Sequence, residues 1–170
     1  MAANAGNLQT FAAGLVQREG GPVVLKDGAG QTWIGGQTHG WLSQWGFSPP
    51  ANADDAESNV LAWLSTKQPL LGQLLTGSLA LGTACCDWIY NSPPTVVTAA
   101  LQQILGVTVD GDFGSKTLVA ALSGNTAHVA SLLHLARLRF LGTAVAKGEI
   151  DPEYAEDLIG RVCDLLTPLV

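Results

Sequence analysis

The chain is short of positive charge. Eight Lys and Arg stand against fourteen Asp and Glu, giving a formal net charge of −6 and a pI near 4.8. Nucleic-acid binding leaves a basic patch or stripe, and this sequence has none, so no nucleic-acid partner is expected. Cysteine is scarce too. Cys85, Cys86 and Cys163 are odd in number, two are adjacent, and no CxxC or Cys/His spacing occurs. That pattern argues against a disulfide framework and a zinc site and leaves buried free thiols as the expectation. His39, His128 and His134 are too dispersed for a metal triad, so no metal and no cofactor are expected, and the two later histidines read as packing or surface residues. A phosphate-cradling glycine loop and a GxSxG elbow are both absent. The first residues, MAANAGNLQTF, place nothing basic before the apolar positions, so synthesis in the cytoplasm without a signal peptide is expected. Gly, Ser, Thr and Pro break the leucine-rich stretches, so no run of membrane-spanning length and no stable membrane insertion are expected.

What is present is apolar and helical. Hydrophobic residues make up 47% of the 170 and charged residues 13%, a balance suited to a globular core. Leu8, Phe11, Ala12, Leu15 and Val16 share one face at helical spacing, with Asn7 as the expected N-cap. Further helices are predicted from Ala53, through the apolar run Leu70 to Leu81, over Thr83 to Asn91, and from Thr95 to a stop at Gly106. In VDGDFGSKTLVAAL, Asp110-Gly111 predicts a tight turn and Ser115 a cap for a helix carrying Leu118, Val119 and Leu122. A long helix is predicted from Thr126 to Leu141, with Arg137 and Arg139 near its C-terminal end complementing the dipole. A last helix begins at Asp151-Pro152. No alternating strand pattern occurs. The expected fold class is mainly α, with an irregular loop or short hairpin after the first helix.

Chemistry concentrates in that exception. REGGPVVLKDGAGQTWIGG carries Glu19 at the end of the first helix, Asp27 in a glycine-rich turn, and Thr32 ahead of a glycine pair. A carboxyl group where a rigid helix meets bare glycine backbone suits a general acid, which must reach a leaving group within hydrogen-bond distance. The same residues also read as a surface Glu at a frayed helix end with glycines as its C-cap. Asp27 is either the second carboxylate of a glycosidase pair or an Asx-turn residue. Trp33, Trp41, Trp45 and Phe47 are either sugar-stacking rings or the aromatic core of a short helix. DGDFG reads as a wall contact or as a turn joining helices, and the turn is the simpler reading.

EGG, then DGAG, Thr32 and glycine, then Asp87, Asn91, Leu101-Gln102, Asp110-Gly111, Gly114 and Thr117 in order resemble the glycoside hydrolase family 108 lysozymes with their C-terminal peptidoglycan-binding region. Arg137, Arg139 and Arg161 resemble that family's Arg-containing tail. The sequence departs from the family where DGAG replaces DPGG, where Pro22 follows EGG, where Trp33 follows the Thr, and at the Ile159-Gly160 pair before Arg161. The resemblance implies a single-domain, lysozyme-like helical muramidase, with residues 1–92 catalytic and 93–170 peptidoglycan-binding, packed into one globular unit. It implies cleavage of the β-1,4 bond between N-acetylmuramic acid and N-acetylglucosamine, with Glu19 as general acid and Asp27 and Thr32 handling the attacking water. Trp33, Trp41, Asp87 and Asn91 are the implied substrate-binding residues. The implied partner is the peptidoglycan glycan strand, reached in the periplasm through a phage holin or a secretion system. The alternative is a non-catalytic peptidoglycan-binding relative.

Overall fold

The helical period of the first segment becomes α1 (Ala5–Arg18), whose Phe11, Ala12, Leu15 and Val16 are buried as their spacing requires. The computed structural model of the protein describes residues 5–21, 25–26 and 32–166. The irregular segment holds two short strands, β1 (Leu25–Lys26) and β2 (Thr32–Trp33), paired antiparallel with Leu25 opposite Trp33 and Lys26 opposite Thr32. Helices α2 (His39–Trp45), α3 (Ala53–Ala62), α4 (Pro69–Gly77), α5 (Leu79–Tyr90), α6 (Pro94–Leu105), α7 (Ser115–Leu122), α8 (Thr126–Ala146) and α9 (Pro152–Leu166) follow. The fold is mainly α, with a small hairpin after the first helix.

Contacts divide the chain into two units, Met1–Thr76 and Gly77–Val170. The division falls ahead of the 92/93 boundary that the motifs suggest. Ser78 caps α5 by accepting from the Leu81 N–H, and α5 then packs on α8, which carries residues 77–92 into the second unit.

In the first unit, α1 packs on α3, and α3 widens into a π-helical turn, Trp63–Lys67. Gly72 of α4 lies against that turn so closely that a Cβ there would stand 2.9 Å from the Leu64 carbonyl oxygen. Asn7 is not the N-cap of α1. It sits within the first turn, and its amide donates to the Leu75 carbonyl of α4 at 3.1 Å. Asn52 and Thr38 cap α3 and α2 through their side chains.

In the second unit, α8 is the shared partner of α5, α6, α7 and α9. By length and composition it could cross a membrane, with 21 residues and a mean hydropathy of 1.3 in its most apolar window, contrary to the expectation that no run was long enough. It packs on four helices with 39% of that window buried, and buried His134 and Arg137 lie within it. Arg137 and Arg139 do not serve its dipole, because the helix continues past Leu141 to Ala146 and no basic residue lies in its last turn. Nearly all of α5 is buried, so it is apolar on every face. Its one charge, Asp87, is fully buried and is met by Arg137 at 2.6 Å, as a charge in a core requires. Cys85 and Cys86 are buried free thiols, and burial raises both pKa values well above the ordinary thiol range. Cys163 departs from the expectation, since it faces solvent on α9. On α7, Leu118 is buried but Val119 is 65% exposed, because the short helix turns only one edge inward. Gly114 rather than Ser115 occupies the N-cap position of α7.

Candidate active site

The backbone around Glu19 is that of a helix end. The Glu19 N–H donates to the Leu15 carbonyl at 3.0 Å, so the helix still grips it. Gly20 then donates to the Gln17 carbonyl and Gly21 to the Val16 carbonyl, the crossed pair of bonds that ends a helix in a Schellman motif. Gly20 and Gly21 carry φ values of 108° and 64°, which disfavour any side chain. The glycines are therefore a C-cap, and the cap holds Glu19 at a fixed place, half-buried at the mouth of the irregular segment.

The second glycine pair closes on it. Beyond β2 the chain turns through Gly35 and Gly36, both left-handed, at φ 58° and 71°. A Cβ on Gly35 would meet Val16 at 3.0 Å, and one on Gly36 would meet Glu19 Cβ at 2.9 Å and Oε2 at 3.0 Å. The WIGG stretch is thus pressed against the last turn of α1, and the Glu19 side chain lies along bare backbone. No other residue type leaves that space.

What holds the turn in place was not read from the sequence. Gln37 is fully buried, and its Nε2 donates to the Ala56 carbonyl of α3 at 2.6 Å. Its Oε1 accepts from Asn59 Nδ2 at 2.8 Å, and the same Asn59 amide nitrogen donates to the Ser48 carbonyl at 3.1 Å. A glutamine directly after two glycines is the only signal the sequence offers, and it is a faint one.

The other sequence-predicted site residues fare differently. Asp27 lies outside the described residues, and of Thr32 only the backbone pairing with Lys26 is described. Trp33 is half-buried. Trp41, expected to bind substrate, is 8% exposed, stacks on Phe47 at 5.6 Å and meets Trp63 edge-on at 6.3 Å. Trp45 meets Trp63 edge-on at 6.0 Å as well. Trp41 and Trp63 pack in the core while Trp45 and Phe47 are half-buried, so Trp41 has little ring face to offer a sugar. Asp87, also expected to bind substrate, is the buried partner of Arg137 and has no exposed surface to offer a sugar. Asn91 is half-buried at the C-cap of α5, its N–H on the Trp88 carbonyl at 3.2 Å. Both residues belong to the second unit.

DGDFG is a turn. Gln102 of α6 is buried, and its Oε1 accepts from the N–H groups of Asp110 and Gly111 at 3.1 and 2.9 Å. Its two amide hydrogens serve three acceptors, Asp110 Oδ1 at 2.7 Å, the Asp112 carbonyl at 3.0 Å and Thr117 Oγ1 at 3.1 Å. Hydrogen bonds from the Asp112 N–H and then from Gln102 hold the Asp110 carboxyl below its ordinary pKa. A pocket of about 290 Å³ adjoins the turn, and a second of about 370 Å³ lies beside Trp88, Phe140 and Arg139.

His39 and His128 are exposed. His134 is buried, with burial first and Arg137 second driving its pKa down to about 4. Among the described residues no three His, Cys, Asp or Glu side chains gather as a metal site. Comparison with known protein families, with curated proteins and with solved structures finds no match to this chain.

Proposed function

We propose that the protein is a lysozyme-type muramidase, cleaving the β-1,4 bond between N-acetylmuramic acid and N-acetylglucosamine, with Glu19 as the general acid. The observation that carries the reading is Glu19 itself, fixed by a glycine cap at the end of α1 with the bare backbone of Gly36 along its side chain. A general acid needs a fixed carboxyl group with room for a substrate oxygen beside it. In this reading Glu19 protonates the glycosidic oxygen while Asp27 and Thr32 order the attacking water, and Trp33 borders the sugar. Peptidoglycan is the substrate. The enzyme reaches it in the periplasm, through a phage holin or a secretion system.

The test is digestion of purified Gram-negative peptidoglycan by wild type and Glu19→Gln, with products separated by mass. Wild type should release muropeptides ending in reducing N-acetylmuramic acid, and the variant should lose about a hundredfold to ten-thousandfold in rate. Equal release by both would move the acid elsewhere. No release by either, with the protein still pelleting with the wall, would favour the non-catalytic binding relative.

A further inference from the structure

We infer that Gln37 is a positioning residue for Glu19, acting through Gly36 and anchored on α3 by Ala56 and Asn59. This rests on the muramidase reading for its consequence in catalysis, though the mechanical link is independent of it. A residue needed only to fill the space at position 37 could be apolar. Burying an amide costs desolvation unless both ends are bonded, and here both are, Nε2 to the Ala56 carbonyl and Oε1 to Asn59. Such a doubly satisfied amide specifies direction as well as burial. The backbone on either side is tied as well, Gln37 N–H to the Ile34 carbonyl at 3.2 Å and Thr38 N–H to the Gly36 carbonyl at 2.9 Å. The result is a closed turn around Gly35 and Gly36, fastened to α3 on one side and resting on Val16 of α1 and on Glu19 just past its end on the other. Glu19 Oε2 lies 3.0 Å from the place a Cβ of Gly36 would take. Shifting the turn toward α1 would displace the carboxyl group, and withdrawing it would remove the backbone that the side chain lies along. The distance from α3 to the turn therefore sets where the Glu19 carboxyl group stands, and Gln37 sets that distance.

The experiment uses the full-length protein with Gln37→Met, which keeps length and loses both hydrogen bonds, and Asn59→Ala, which removes the half-exposed anchor and leaves the core filled. Two quantities are read on each variant: kcat and KM on soluble glycan strands, and the side-chain carboxyl ¹³C resonance of Glu19, assigned by its absence in Glu19→Gln. The expected result is a kcat lowered about tenfold to a hundredfold with KM within about twofold, since misplacing a reacting group by about 1 Å costs that much. The Glu19 carboxyl resonance should shift in both variants. A KM that rises alone, or an unmoved kcat together with an unmoved resonance in either folded variant, overturns the assignment. If wild type itself releases no muropeptides, the muramidase reading fails, and the carboxyl resonance alone decides whether Gln37 positions Glu19. Should Gln37→Met not fold, Asn59→Ala carries the same decision.

Discussion

At the scale of single residues, the candidate site is a matter of what is missing from Gly36. Two separate costs attend any side chain there, and a second glycine separates them. Gly36 and Gly46 share the same left-handed backbone, at φ 71° and 72°, but a Cβ on Gly46 would meet nothing within 4 Å. Gly46→Ala should therefore show the backbone cost alone, about 1–2 kcal/mol. Gly36→Ala adds a collision with Glu19 Cβ, which cannot swing away as a side-chain tip could. Urea unfolding of the two variants should show Gly36→Ala the less stable, by roughly a further 1–3 kcal/mol as in other overpacked sites. Peptidoglycan hydrolysis should fail in Gly36→Ala and persist in Gly46→Ala. Equal stability in the two would mean that the turn can lift off α1 at no cost, and the fixed placement of Glu19 would go with it.

At the scale of elements, the helices were legible because period and punctuation agreed. Pro94 opens α6 and Gly106 closes it in a left-handed cap, and Pro152 opens α9, all where Pro and Gly mark helix ends. The end of α8 was misread because Gly142 and Thr143 resemble a stop, whereas Thr143 bonds back to the Arg139 carbonyl at 2.9 Å within the continuing helix. Partnerships distant in sequence were invisible altogether. Asp87 and Arg137 lie fifty positions apart, and nothing local in either segment names the other. For the site, the Glu19 placement followed from local glycine chemistry, while the Gln37 anchor depends on α3 arriving from nineteen residues away. The turn after α6 is the clearest test of an element held by one side chain. Gln102→Met keeps the buried volume and removes every bond that Gln102 makes to Asp110, Gly111, Asp112 and Thr117. Losing those bonds should cost about 2–4 kcal/mol, at roughly 0.5–1.5 kcal/mol net each, read by urea unfolding, and the Gly111 amide should lose hydrogen-exchange protection. Exposed Asp112→Ala should change stability by no more than roughly 0.5 kcal/mol. If Gln102→Met proved as mild, the turn would be holding itself.

At the scale of the whole molecule, α8 brings the ionisable groups of the second unit into its core, and that choice gives folding a pH dependence. His134 and Arg137 stand three residues apart on α8, both buried, with Asp87 of α5 on the Arg137 side chain. Burial and the neighbouring guanidinium oppose an imidazolium more strongly than Asp87 favours one, so His134 titrates near 4 in the folded protein instead of 6.5. Between those two values the unfolded chain holds a proton that the folded chain refuses. Stability then rises with pH across the interval, because the unfolded state binds more protons there. The contribution is complete above pH 6.5 and is lost as pH falls toward 4. A tenfold difference in proton affinity is about 1.4 kcal/mol, so the loss over the interval reaches about 3 kcal/mol. Urea unfolding of wild type and His134→Gln from pH 7 to pH 4 isolates it, because carboxylates that titrate at the acid end contribute to both proteins and cancel in the difference. Wild type should lose stability more steeply than His134→Gln through that range, and the two curves should run parallel above pH 7. Parallel curves throughout would mean that the imidazole takes up its proton without disturbing the fold, and the core around α8 would then have to admit water or move aside for the charge.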